Sequence, residues 1–240
     1  MNAIETKKLT KIYEGETAVD GLDLTVRQGE LLALLGVNGA GKSTTIRMLT
    51  CITEPTSGTA SVMGYDVVRE RGKVKSCVSV SPQETAVAGN LTVEENLNLM
   101  CAISGKDRSE VEKMMKELEL DKVRGKRAKK LSGGWQRRLS IGMSLVQQPQ
   151  VLFLDEPTLG LDVIARRELW QVINGLKGRV TVVLTTHYME EAQSLADRIA
   201  IMVEGRLRIT GAAEEIITAS GKNNFEDAFV YFAAGGGEGA

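Results

Sequence analysis

Apolar residues follow two rhythms along this chain. At residues 31–35, 151–154, 180–185 and 199–203 they form short, nearly unbroken runs rich in branched side chains. Such runs predict parallel strands covered on both faces, since a strand with one wet face would alternate. Elsewhere the spacing is helical. Ile46 and Leu49 share a face over residues 42–50, and Thr92 with Glu95 predicts a capping box for a helix reaching about Ile103. Ser109 and Glu112 repeat that pattern ahead of Val111, Met114, Met115 and Leu118. A further helix is expected from near Trp135 to Pro149, capped by Ser132, with Trp135, Leu139, Gly142, Met143 and Val146 as its inner stripe. Pro55-Thr56-Ser57-Gly58 reads as a turn before an extended segment over 59–63.

The order of these elements divides the chain. Residues 1–82 and 149–215 read as an α/β core with a mostly parallel, doubly wound sheet, interrupted by an inserted helical subdomain over 83–148. Residues 216–232 read as a C-terminal helical segment in which Phe225, Phe229 and Phe232 share a face, packing either on their own domain or on a partner. The small, glycine-rich residues 233–240 are expected to be a flexible tail. The whole is expected to be a single domain, and 240 residues can bury a sizeable core.

Composition narrows the class. Hydrophobic residues at 42% and charged residues at 25% fit an ordinary globular protein. Lys+Arg 30 against Asp+Glu 31 gives no support for a nucleic-acid partner held by phosphate contacts. Cys51, Cys77 and Cys101 lack metal-ligand spacing and read as reduced thiols of a cytosolic protein. No apolar run approaches the roughly 18 residues of a membrane-spanning helix, and no secretory signal is read at the N-terminus. Residues 122–130 are basic, either as a solvated surface or as an attraction to nearby anionic lipid.

Three segments carry chemistry. Gly36-Val37-Asn38-Gly39-Ala40-Gly41-Lys42-Ser43-Thr44 follows a strand and opens a helix. Its glycines let successive amides curl around phosphate oxygens at the positive end of that helix. Lys42 can reach β- and γ-phosphates, and the Ser43 hydroxyl can ligate Mg²⁺. Second, residues 151–154 carry Asp155 and Glu156 to a strand's C-terminal edge, where open parallel sheets bind ligands. Asp155 is placed to hold Mg²⁺ and Glu156 to polarise an attacking water. Third, Leu131-Ser132-Gly133-Gly134 leaves backbone amides at the start of the next helix. One active site does not need two anion cradles, so this one suits a neighbour's nucleotide. Read alone, it is an ordinary capped helix after a glycine turn.

With these motifs in this order, the chain resembles the ATP-binding subunit of an ABC transporter through about Thr210. The resemblance implies a P-loop NTPase (RecA-like) core with an N-terminal antiparallel β region. It also implies ATP and Mg²⁺ as ligands and a homodimer formed on ATP binding. It makes Tyr13 an adenine-stacking aromatic and Gln83 a Mg²⁺-sensing residue near the contact with a separate transmembrane subunit. Asp162, in Thr158-Leu159-Gly160-Leu161-Asp162, becomes a communicator across the dimer, and His187 a contact to the γ-phosphate. Residues 131–134 then act in trans on the second copy's nucleotide. The segments Thr186-His187-Tyr188-Met189-Glu190-Glu191-Ala192, Arg137-Arg138-Leu139-Ser140 and Phe225-Glu226-Asp227-Ala228-Phe229 resemble the export-type branch, which serves drug, antibiotic or lipid efflux. The implied location is the cytoplasmic face of the membrane. Two departures stand out: Trp135 replaces the family's usual glutamine, and Ser79-Val80-Ser81 is more polar than the common pattern, with altered fits to ribose and membrane subunit as the respective expectations. A soluble ATPase of the same superfamily and a regulatory nucleotide-binding module are the competing functions.

Overall fold

The computed structural model describes residues 1–236. The N-terminal part is a strand layer: β1 (Asn2–Tyr13), β2 (Glu16–Leu22) and β3 (Thr25–Arg27), then β4 (Leu31–Leu35), which belongs to the central sheet. After β4 come α1 (Lys42–Leu49), β5 (Ser57–Val62), β6 (Tyr65–Asp66), α2 (Arg71–Cys77) and β7 (Val78–Ser81). The inserted region holds α3 (Val93–Ile103), α4 (Ser109–Glu117) and α5 (Gly133–Leu145), with short 3-10 turns at Leu120–Val123 and Ala128–Lys130. The chain then returns through β8 (Val151–Asp155), α6 (Val163–Asn174), β9 (Thr181–Thr186), α7 (Met189–Leu195), β10 (Arg198–Val203) and β11 (Arg206–Gly211). It ends in α8 (Ala213–Ser220) and α9 (Phe225–Ala233).

The central sheet runs β11-β10-β4-β9-β8-β7, parallel from β10 to β7. The edge strand β11 is the antiparallel member of this mostly parallel sheet, pairing with β10 through the tight turn at Glu204-Gly205. A second, antiparallel sheet runs β2-β1-β5-β6, with β3 also on β1. Every residue of β4 is buried, and the two faces of the central sheet feed two cores. Leu32, Leu34, Phe153, Val183 and Met202 meet α1 and the antiparallel sheet through Ile46, Leu49, Ile4 and Leu9. Leu31, Leu35, Leu152, Leu154 and Leu184 share a continuous apolar cluster with Leu97, Met115 and Leu139 of the inserted helices. Each such side chain contributes about 1.5–3 kcal/mol on burial, so the insert is fastened to the sheet by the same core that supports the strands.

Several local expectations change. The capping box at Thr92 and Glu95 forms, but that at Ser109 does not: Ser109 is already helical, and its amide donates to Asp107 Oδ1 at 2.8 Å. Helix α5 starts at Gly133 rather than near Trp135, and the Ser132 side chain makes no cap hydrogen bond. Ser79-Val80-Ser81 makes up most of β7, with Ser79 and Ser81 buried and Val80 partly so. Ser81 Oγ lies 2.9 Å from Ser140 Oγ, and Ser144 Oγ donates to the Val80 carbonyl at 3.0 Å, tying the strand to α5. The polar run therefore serves an internal seam.

Helical structure at the C-terminus begins at Ala213 rather than 216, and Ala233 still belongs to α9. Phe225, Ala228 and Phe232 bury against the domain's own core, with Phe229 half-buried beside them. Of the tail, residues 237–240 lie outside the described residues. The three cysteines are buried and unpaired. No helix among the described residues is long and apolar enough to cross a membrane. Within the basic stretch, Arg124 pairs with Glu94, Glu112 and Asp121 and Lys122 with Glu119, while Lys129 donates to the neutral side chain of Asn90.

Candidate active site

A cavity of about 540 Å³ opens where β4, β8 and β9 end. It is lined by Asn38, Gly39, Ala40, Gly41, Lys42, Ser43, Thr44, Gln83, Glu156 and His187, with Ala18 and Leu159. The phosphate loop between β4 and α1 is wedged in place. A Cβ on Gly36 would lie 2.4 Å from the Met202 carbonyl oxygen, and one on Gly41, which has φ +96°, 2.5 Å from that of Ala18. Only glycine admits so close a backbone approach.

Lys42 is 5% exposed. Its Nζ donates to the carbonyls of Gly36 (2.7 Å) and Val37 (3.1 Å) and stands 3.6 Å from Glu156 Oε1. The loop thus holds its own lysine by two of its carbonyls. Ser43 Oγ donates to Asp155 Oδ1 at 3.1 Å, and Thr185 Oγ1 donates to the same oxygen at 2.5 Å.

Glu156 is 6% exposed and sits just past β8 at φ +48°, in the left-handed region. Its amide donates to the carbonyl and hydroxyl oxygens of Thr185 at 3.2 and 3.0 Å, which hold the turn. Its carboxylate spans Lys42 on Oε1 and His187 Nδ1, 2.8 Å away, on Oε2. A non-glycine residue in this backbone region persists where surroundings over-determine it, commonly at functional sites.

Residues 131–134, Tyr13, Trp135 and Asp162 lie elsewhere. Residues 131–134 are absent from the cavity wall. Gly133 lines a separate groove of about 370 Å³ with Gln136, Arg137 and Leu159-Gly160-Leu161. Gln83 lines both cavities and connects them. Tyr13, 39% exposed at the tip of the β1–β2 hairpin, is also off the wall, with Lys11 Nζ 4.9 Å from its ring centre. Trp135 turns to Arg138, whose guanidinium lies 5.0 Å from the indole centre. Asp162 caps α6, accepting from the amides of Ile164 and Ala165, each at 2.9 Å.

The ABC transporter family pattern matches residues 19–159. The chain belongs to the ABC transporter family. Within it, this domain is an ATP-binding ATPase subunit, of the same fold as its solved neighbours. The daunorubicin/doxorubicin resistance ATP-binding protein of Streptomyces peucetius is 44% identical over 92% of this chain and 68% of its own length. Human phospholipid-transporting ATPase ABCA3 is 40% identical over 88% of this chain but only 13% of its own length. The probable multidrug ABC transporter ATP-binding protein YbhF of Escherichia coli is 39% identical over 93% of this chain and 39% of its own length. The chain thus spans a minor part of several relatives. A solved ATP-binding subunit of an ABC transporter superposes with a TM-score of 0.85 at 27% identity, covering 96% of this chain and 99% of that one.

Some residues of this ABC domain's site escape sequence reasoning. Thr185, which organises both acids, ends an apolar run and gave one faint signal, a hydroxyl at a strand terminus. Ala18 gives none, and Leu159 is marked only as part of the loop that ends at Asp162. Glu191, on α7, is 1% exposed and accepts from Trp170 Nε1 at 3.1 Å. Its Oε2 and the Thr158 hydroxyl are buried without a well-formed hydrogen bond. Burial raises its carboxyl above the ordinary glutamate range, and the charge of Glu156 adds to that, while the hydroxyls of Thr186 and Thr158 and the Trp170 N–H act the other way. An acid with a raised folded-state pKa binds more protons folded than unfolded, so its contribution to stability declines as pH rises above the unfolded value. Glu191→Gln is therefore expected to melt higher than the parent at pH 8, with the gap closing toward pH 5. Thermal denaturation at the two pH values checks this; an equal shift at both would place the effect in packing instead.

Proposed function

We propose that this domain hydrolyses ATP at a site completed by a second copy of the chain, and that the closing motion drives export through a separate transmembrane subunit on whose cytoplasmic side it sits. The observation that carries this is the separation of two anion cradles. The phosphate loop faces one cavity with Glu156 and His187, while residues 131–134 stand off its wall. A second copy supplying its own 131–134 leaves neither cradle idle. The names of the relatives support a drug-like or lipid cargo, and the groove beside Gln83 is the proposed contact with the membrane subunit.

Within the site, ATP takes over the interactions that Lys42 now makes with loop carbonyls, placing the ammonium at the β- and γ-phosphates. Tyr13, at the mouth of the hairpin, is proposed to meet the adenine. Ser43 Oγ and Asp155 Oδ1, with Gln83 on the same wall, form an all-oxygen donor set that suits Mg²⁺, which takes few carboxylates and completes its shell with water and phosphate. When bound, Mg²⁺ neutralises charge at the phosphate oxygens. Glu156 orients and polarises the attacking water, His187 holds that carboxylate in register and meets the γ-phosphate, and Lys42 stabilises the charge that develops in line. Asp162, fixed as the α6 cap, holds the loop 158–161 that faces the second copy.

Complementation between two inactive variants tests the shared site. Ser132→Arg spoils the cradle a subunit lends, whereas Lys42→Ala spoils the cradle it keeps. Each alone is expected to be inactive. An equal mixture of the two should recover roughly a quarter of parental turnover, because half the dimers then hold one intact composite site. A mixture as dead as its components would overturn the composite site.

A further inference from the structure

Arg137 is 4% exposed, on helix α5, yet among the described residues no carboxylate stands within ion-pair distance of it, Asp155 and Glu191 acting on its charge only from farther away. Instead its Nη1 donates to the Pro82 carbonyl and its Nη2 to the Gln83 carbonyl, each at 2.6 Å. Burial of a guanidinium without an ion-pair partner is costly, and both short charge-assisted bonds go to one dipeptide. That dipeptide opens residues 82–88, which have no helix or strand to fix them. Gln83 in turn lines both the phosphate cavity and the groove that holds Gly133 and Arg137. The neighbouring Arg138 is spent otherwise, on Glu168 at 2.8 Å and on the Trp135 ring.

We propose that Arg137 is a positioning residue: its forked guanidinium locks the Pro82–Gln83 backbone to the first turns of α5, so that movement of residues 131–134 against a second copy's nucleotide resets Gln83 in the subunit's own cavity. This rests on the composite site proposed above. The physical basis is rigidity. A planar fork with two donors fixes both position and orientation of two successive carbonyls, which a single ammonium on a flexible stem cannot do. The lock lies within two turns of Ser132, so little of a helix displacement is lost before it reaches Gln83. One subunit's site is thereby informed of whether its residues 131–134 are engaged elsewhere.

A double-mutant cycle tests the lock. Arg137→Lys is expected to lower kcat about tenfold through loss of one charge-assisted bond at the loop. Gln83→Ala is expected to lower it at least as far. If Arg137 acts through Gln83, adding Arg137→Lys to Gln83→Ala lowers kcat by less than about twofold more. Losses that multiply would overturn the proposal, as would an unaffected Gln83→Ala. Amide hydrogen exchange provides a second arm that keeps Arg137 and does not rely on turnover. In the Glu156→Gln protein, residues 82–88 and 131–137 should gain protection together as ATP is raised. Different ATP dependences for the two segments would sink the lock even if the complementation test succeeds. Failed complementation with coupled exchange would instead sink the composite site and leave the lock standing.

Discussion

Glu156→Gln is expected to slow ATP turnover about 10³-fold while leaving ATP binding intact, the general-base contribution lying within 10²–10⁴. The backbone prepares this residue for one task. It is held past β8 in the left-handed region by two bonds from its amide to Thr185, and its carboxylate is bracketed by Lys42 and His187. An amide of the same shape keeps the packing but loses the charge that polarises water, and it turns a donor toward either the lysine or the histidine. With chemistry blocked and binding preserved, the variant should accumulate as an ATP-bound pair of subunits. Phosphate release and size-exclusion chromatography with and without ATP read the two effects separately. Parental hydrolysis would move the role to another group, and slow hydrolysis by a strictly monomeric species would remove the composite site.

Lys42→Ala should act earlier, weakening ATP binding about 10²-fold, the effect of losing two charge-assisted phosphate contacts less the bonds the lysine already makes to Gly36 and Val37. Because the side chain is almost fully buried against Glu156, the change also leaves that carboxylate with His187 alone as its cationic or donor partner. Equilibrium binding of a fluorescent ATP analogue, with a melting curve to establish folding, decides the matter. Unchanged affinity in a folded variant would exclude Lys42 from phosphate recognition.

The strands legible in the sequence are those whose two buried faces leave no polar interruption. Leu31–Leu35 matches β4, and the runs ending at Leu154 and Thr185 fall short of β8 and β9 by one residue each. β7 is hidden because Ser79 and Ser81 break the apolar run that marks the other strands, although both are buried. A helix partner with its own hydroxyl at Ser140 is a tertiary fact that no local period encodes. Likewise Ser132 has the composition of a cap but not the bond, and Asp107 rather than Ser109 meets the start of α4, because short polar side chains near a helix start compete for the same amides. The juxtaposition of Lys42, Ser43 and Glu156 at one cavity is readable through glycine, lysine and paired acids at fixed spacing. The roles of Thr185, Arg137 and Glu191 are not, since their significance lies in which distant residue they touch.

The pressed-in seating of Gly36 and Gly41 has a consequence for timing. A cradle that stands finished before its guest arrives asks for no ordering on capture, so uptake of nucleotide is governed by encounter and by displacing one lysine. The same stiffness denies the spent nucleotide an exit through local loosening. With the composite site proposed above, departure waits for the two halves to part, which puts the clock of the cycle at the seam between subunits.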